Sequence, residues 1–214
     1  MACKVFFDER CCYIRRLVSW SHAHTLLKIN AGHEKAQKAQ RVMRKVLVIG
    51  SGGSGKSTVA AQLGELLNLE VSHLDRFYWR AGWVEPETEE WIKTVTDLIE
   101  RDSWILDGNY SGSLELRLAK CDTVVFLDLS RVLCLWRIVK RFFLYRNGTR
   151  PDVAEGCREQ LSLEFVSWVW NYPRRSRPKV VRLLREHGGE KKIFWLRSRS
   201  DVSRFLSQFE RHTD

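Results

Sequence analysis

Eight consecutive residues, Gly50-Ser51-Gly52-Gly53-Ser54-Gly55-Lys56-Ser57, carry the most specific chemistry in the sequence. They satisfy the spacing G-x-x-x-x-G-K-[ST], and Thr58 follows directly. Glycine tolerates the tight backbone such a loop needs, so successive main-chain N–H groups turn inward and form a cradle for an anion. A lysine at position 56 brings a point charge to β- and γ-phosphates. The Ser57 hydroxyl suits Mg²⁺ and that of Thr58 the α-phosphate. The spacing implies a bound nucleoside triphosphate, ATP or GTP, with Mg²⁺. A Gly/Ser-rich turn matching by accident is the bland alternative. The flanks argue against it, because a short apolar run, Lys45–Ile49, precedes the loop and a helical stretch, Lys56–Asn68, follows.

Phosphoryl transfer requires charge neutralisation and alignment more than covalent help from protein. The residues to look for are therefore carboxylates at strand ends and basic groups that fold over phosphates. Asp107 follows the apolar run Ser103–Leu106 and precedes Gly108, a place from which a carboxylate holds Mg²⁺. Asp75, in His73-Leu74-Asp75-Arg76, is placed to accept a proton from an acceptor hydroxyl or to bind the acceptor. Asp128 reads instead as a cap of the helix opening at Ser130 and Arg131. Two stretches, Arg131–Arg150 and Asn171–Arg185, hold basic residues and no acidic one. In the first, Arg137, Lys140 and Arg141 share one helical face. Guanidinium groups there suit a lid over phosphate oxygens. A nucleic-acid surface and a solvated basic face are the competing readings. The rings of Phe77, Tyr78, Trp79 and Trp83 follow Asp75 and read either as a stacking wall for the acceptor or as packing under a flap.

These residues need a scaffold, and strands alternate with helices from Met43 onward. The strand candidates are Lys45–Ile49, Glu70–His73, Ser103–Leu106, Thr123–Leu127 and Lys192–Leu196. Helices are expected from Pro86 to about Arg101, over Arg131–Arg146, Glu159–Trp170 and Lys179–His187, and over Asp201–Glu210. Short apolar strands separated by helices imply an α/β fold with a parallel sheet and right-handed crossovers. In such a sheet the site lies at the carboxyl ends of the strands.

The 214 residues suit one domain with an extension. Half of the formal charge of +10 lies within residues 1–42, so the body is only modestly basic and nucleic acid is not favoured as a partner. Within residues 1–42, Cys11–Trp20 alternates apolar and basic residues and Glu34–Arg41 has helix propensity but no apolar face, so the segment reads as a dispensable extension or a mis-assigned start, leaving 43–214 as the domain. The six cysteines lack metal-ligand spacing, and Cys121 and Cys134 sit in apolar surroundings as core residues. No apolar run is long enough to span a bilayer. A cytoplasmic setting is expected, with no membrane partner; the composition says nothing of oligomeric state.

The order of motifs resembles the group of P-loop kinases that includes adenylate and shikimate kinases. Ile105-Leu106-Asp107-Gly108 is similar to their strand-end Asp-Gly, and Arg137 and Arg141 to their lid arginines. Longer segments, Val48–Thr58, His73–Trp83, Trp104–Gly112, Val125–Trp136 and Phe165–Arg175, resemble the bacterial DNA topology modulation (FlaR-related) proteins. The resemblance runs from Met43 to about Ser207. It implies a three-layer P-loop fold with sheet order 2-3-1-4-5, a flap after the second strand and a lid after the fourth. It also places Arg197 in the loop that contacts adenine. One position departs from adenylate kinases: Asn109-Tyr110 follows Asp107-Gly108 where they carry Pro-Arg, which shifts the expected acceptor from a monophosphate toward a hydroxyl compound. The leading expectation is an Mg·ATP-dependent phosphotransferase acting on a small molecule. The alternative is a nucleotide-dependent DNA-binding regulator.

Overall fold

The computed structural model describes residues 43–145, 148, 150 and 152–210, and the expectations for residues 1–42 and for Arg146 lie outside them. Five strands, β1 (Lys45–Gly50), β2 (Val71–His73), β3 (Trp104–Asp107), β4 (Thr123–Leu127) and β5 (Lys192–Leu196), form one sheet. Every pairing is parallel, as the apolar runs lead one to expect, and the order is β2-β3-β1-β4-β5, as the resemblance implies. β3 and β4 are buried along their whole length, which explains their unbroken apolar runs. Edge strand β5 is exposed at Lys192 and Ile193.

The crossovers are helical. Helix α1 (Lys56–Leu67) ends at Asn68, whose left-handed φ of 53° closes the last turn. Next come α2 (Leu74–Tyr78), α3 (Thr88–Ile99), α4 (Leu114–Lys120), α5 (Arg131–Tyr145), α6 (Leu163–Arg175), α7 (Arg177–His187) and α8 (Arg199–Leu206). Alternation along the strands divides the core. Leu47, Ile49, Leu106, Val124 and Phe126 pack with Trp91, Val95, Leu114, Leu118, Leu183 and Leu184 from α3, α4 and α7. Val46, Val48, Ile105 and Val125 are fully buried on the opposite face, where α1 lies against β1 and β3. The result is a three-layer α/β sandwich. Cys121 and Cys134 are buried, as expected of small core residues.

Three expectations are corrected. Glu159–Trp170 does not form one helix. Glu159 belongs to a strap before α6, and the helix starts after Ser162, whose hydroxyl accepts from the Phe165 amide. That helix runs on through Pro173 to Arg175. The last helix begins at Arg199, earlier than its apolar pattern suggests, because Ser198 and Asp201 close a reciprocal capping box. Asp128 does not cap α5; Ser130 bonds the Leu133 amide, while Asp128 takes a bidentate pair from Arg177 at 2.8 and 2.9 Å and the Trp195 indole N–H at 2.8 Å. The reading of Asp128 as a structural residue holds.

Among the described residues no helix is long and apolar enough to cross a membrane.

Candidate active site

Strand register assembles the site. Asp107 lies opposite Val48 of β1 and His73 of β2, and Gly50 lies opposite Leu127 of β4. The carboxyl ends of four strands therefore meet at one edge, which opens into a cleft of about 2130 Å³. Gly52 through Thr58 line it, together with His73, Asp75, Asn109, Tyr110, Arg137, Arg141, Arg150 and Asp152.

The cradle is built as its glycines require. Gly53 and Gly55 have φ of 73° and 93°. A methyl group on Gly53 would lie 2.3 Å from the Cys134 carbonyl oxygen, so α5 rests directly on the loop. Helix α1 is capped by Gly55 with no side-chain acceptor and has no acid in its first turn, leaving its positive end for an anion. Lys56 Nζ donates to the Ser51 carbonyl at 3.1 Å, and Arg137 donates to the Ser54 carbonyl at 2.7 Å. Both cations thus border the cradle. Among the described residues the buried Ser51 and Ser54 hydroxyls have no protein partner.

Beside the cradle stand two linked acidic pairs. His73 Nδ1 and Asp107 Oδ2 are 3.0 Å apart, and Asp107 Oδ1 is buried with no partner among the described residues. The Tyr110 hydroxyl donates to Asp75 Oδ1 at 2.6 Å. Burial raises the Asp75 carboxyl above its ordinary pKa, while Tyr110 and Lys56 pull it back. Burial and the neighbouring Asp75 hold the Tyr110 phenol far above its usual range, so it stays protonated and keeps its proton on the bond to Asp75. Its ring packs 4.4 Å from Tyr78 and 5.1 Å from Trp91.

The loop carrying Tyr110 is fixed from beneath by Arg117, which is fully buried. Its guanidinium donates to the carbonyls of Gly108 at 2.8 Å, Asn109 at 3.0 Å, Tyr110 at 2.8 Å and Ser113 at 3.3 Å. Burial lowers its pKa to about 10, so it stays charged at neutral pH. Arg117→Met should lower the melting temperature by roughly 10 °C. Each buried carbonyl left bare costs about 1–3 kcal/mol, and a chain of this size shifts about 2–4 °C per kcal/mol. A calorimetric melt of the variant checks this.

The His73–Asp107 pair gives the folded protein a pH dependence. The hydrogen bond that His73 donates to Asp107 raises the His73 pKa above 6.5, against the opposing effect of burial. Its contribution is therefore complete below about pH 6.5 and is lost as pH rises through the higher folded-state value. In metal-free buffer, wild type should out-melt His73→Asn most at acidic pH, with the gap closing toward alkaline pH. Thermal melts of both proteins across that range check the sign.

The lid is more internally paired than its sequence suggests. Arg141 bonds Glu159 at 2.7 Å, and Arg150 reaches Glu159 at 2.8 Å and Asp152 at 3.2 Å. Asp152 is held below the usual carboxylate range despite its burial, by Arg150, the Ser57 hydroxyl and His73. The strap 152–160 is tied to the flap. The Gly82 amide bonds the Gly156 carbonyl at 3.3 Å, the Trp83 indole N–H bonds the Arg158 carbonyl at 2.9 Å, and the Cys157 thiol bonds the Arg80 carbonyl at 3.1 Å. Trp83 takes a left-handed φ of 65° to make this turn. Trp79 and Trp83 line the cleft, whereas Phe77 points to solvent. Arg197 stacks on Trp195 at 5.0 Å and is not among the cleft-lining residues; Arg199, at the start of α8, is. Sequence reasoning passed over Tyr110 as a partner of Asp75, and over Arg117, Asp152 and Glu159. The one available signal for the last two is that acidic residues return at the end of an acid-free basic stretch.

No family model matches this chain, and no curated protein matches it either. Solved structures do. A shikimate kinase from Acinetobacter baumannii, in complex with shikimate, is 18% identical with a TM-score of 0.51, covering 80% of this chain and 92% of its own. A shikimate kinase from Bacteroides thetaiotaomicron is 15% identical with a TM-score of 0.46, covering 78% of this chain and 96% of its own. A deoxyadenosine kinase from M. mycoides with bound dCTP is 12% identical with a TM-score of 0.41, covering 76% of this chain and 97% of its own. The likeness is one of fold. This chain's five parallel strands in the order 2-3-1-4-5, with helices on both faces, form a fold like that of the first of these structures.

Proposed function

We propose that this protein is a phosphotransferase that binds Mg·ATP or Mg·GTP in the Gly50–Thr58 cradle and transfers the terminal phosphoryl group to a hydroxyl of a small molecule. The observation that carries this reading is a single juxtaposition. The lysine-bearing cradle and the half-buried Asp75 carboxylate line one cleft, and the buried Asp107 carboxylate lies at the same sheet edge, bonded to the cleft-lining His73. We place the catalytic domain at residues 43–214 and group it with the DNA topology modulation (FlaR-related) proteins.

The residues divide the work by position. Main-chain amides of Gly50, Ser51, Gly52, Gly53, Ser54 and Gly55 take the β-phosphate, with Lys56 between β and γ. Thr58 reaches the α-phosphate. Ser57 and Asp107 fit a hard cation, since both offer oxygen and Asp107 Oδ1 is buried without a partner. Mg²⁺ bound there supplies charge neutralisation across the phosphate oxygens. Asp75, steadied at Oδ1 by Tyr110, offers Oδ2 to the acceptor hydroxyl and takes its proton. Arg137 and Arg141 stabilise charge on the group in transit, Arg141 by exchanging its bond to Glu159 for phosphate oxygen. Arg197 or its neighbour Arg199 borders the base.

The acceptor side favours a hydroxyl over a phosphate. Where adenylate kinases carry an arginine, Tyr110 turns its hydroxyl to Asp75, and the nearby Arg117 is occupied by backbone carbonyls. DNA binding is the weaker reading, because Arg137, Arg141, Arg150 and Arg177 are engaged inside the protein. The test is acceptor-dependent ADP formation across nucleosides, nucleotides and small alcohols. Turnover with an uncharged hydroxyl compound is expected, and no turnover above the water-only rate with any of them would contradict the proposal.

A further inference from the structure

The outer face of α5 carries a feature that nucleotide chemistry does not use. Its inner face touches the cradle through the Cys134 carbonyl, Ile138 and Arg137. The opposite face presents Val132, Trp136, Val139 and Phe143, which are 65%, 55%, 38% and 65% exposed. Their spacing of four, three and four residues puts all four side chains on one narrow line along the helix. An apolar line of this kind, set opposite the core-facing side, is the pattern of a helix–helix seam. Ordinary surface apolar residues occur singly.

The seam has a property that selects its occupant. Reading along it, valine alternates with a ring: Val132, Trp136, Val139, Phe143. When an identical helix is laid antiparallel with the two-fold axis between positions 137 and 138, Trp136 meets the partner's Val139 and Phe143 meets the partner's Val132. Each ring lies against a small side chain at both ends, as an isologous contact requires. Charge does not oppose the pairing, although α5 contains no acid. Arg131 is turned onto the Trp170 ring at 3.9 Å, Arg137 and Arg141 face the site, and the Lys140 ammonium lies 5.4 Å over the Trp136 ring at the edge of the seam. The four side chains expose on the order of 450 Å² per copy, so a symmetric pair covers about 900 Å² through them, the size of a weak and reversible association.

We propose that the outer face of α5 is a self-association surface, on which a second copy of this chain packs antiparallel through Val132, Trp136, Val139 and Phe143. The pairing is independent of nucleotide, and it braces the helix that lies on the cradle.

Sedimentation velocity of the full-length protein tests it. Wild type should be a dimer at micromolar concentration. Trp136→Lys and Val139→Glu should each weaken self-association by about tenfold or more, as loss of a central contact does. Both positions are exposed, so circular dichroism should be unchanged, and the melting temperature should fall only as far as loss of the dimer requires. Mixing the two variants should restore a dimer, because the new lysine of one copy then faces the new glutamate of the other. A monomeric wild type would overturn the proposal. So would a dimer that neither substitution weakens, or a mixture of the variants that stays monomeric. None of these results bears on ADP formation, so the surface and the chemistry fail or stand separately.

Discussion

Asn in place of Asp75 is expected to leave nucleotide binding intact and to slow phosphoryl transfer by about 10²–10⁴-fold, the usual worth of a positioned general base. The substitution keeps the shape and still accepts the Tyr110 hydroxyl through its carbonyl oxygen, but it cannot take up a proton. Because burial raises the Asp75 pKa, its carboxylate is lost at a pH above that of an ordinary aspartate. Wild-type turnover should therefore fall as pH drops through that raised value, and the Asn variant should lack this limb. Rate–pH profiles of both proteins with one acceptor provide the check. An Asn variant as fast as wild type would remove Asp75 from the chemistry. A variant that lost nucleotide affinity instead would show it to be part of the cradle.

Lys56→Ala should weaken ATP or GTP binding by about 10²-fold, because it removes the one point charge set against the β- and γ-phosphates inside a partly desolvated cleft. The fold should tolerate the change. Among the described residues Lys56 bonds only the Ser51 carbonyl and pairs with no carboxylate. Affinity measured with a fluorescent triphosphate, beside a melting curve of each protein, separates the two effects. Lost affinity with an unchanged melt is the expected pair of results.

The parts of the site that were legible from sequence are those written in consecutive residues. The cradle is one octapeptide, and its glycines, lysine and serine each have a local reason to be there. The strand ends were legible because parallel strands buried on both faces leave short apolar runs, which place Asp75, Asp107 and Asp128 at one edge before any contact is known. Short helices were missed for a physical reason: Leu74–Tyr78 and Leu114–Lys120 are too brief to display a helical period. Long-range partners were missed for another. Nothing near Arg117 says that its guanidinium will hold three carbonyls of the preceding loop. Nothing near Glu159 says that it will gather Arg141 and Arg150. The Trp83 ring shows how such a tie redirects an expectation. It was read as either a stacking wall or packing beneath a flap, and its indole N–H fastens that flap to the strap while its ring borders the cleft.

The flap and strap connect the two halves of the proposed reaction. The proposed acceptor contacts, Asp75, Trp79 and Trp83, line the cleft from the flap side, whereas the strap carries Asp152 beside Ser57 and Glu159 beside Arg141. A molecule that orders the flap thereby orders the groups around the phosphates, which is how closure over a substrate excludes water as a competing acceptor.

All of the chemistry proposed here begins with a triphosphate held by backbone amides and Lys56. Isothermal titration of the full-length protein with ATP and with GTP, with and without Mg²⁺, addresses that step without any knowledge of the acceptor. Saturable one-to-one binding of at least one of them, stronger with Mg²⁺ present, is the predicted result. Titrations in which neither nucleotide binds at any Mg²⁺ concentration would contradict the account.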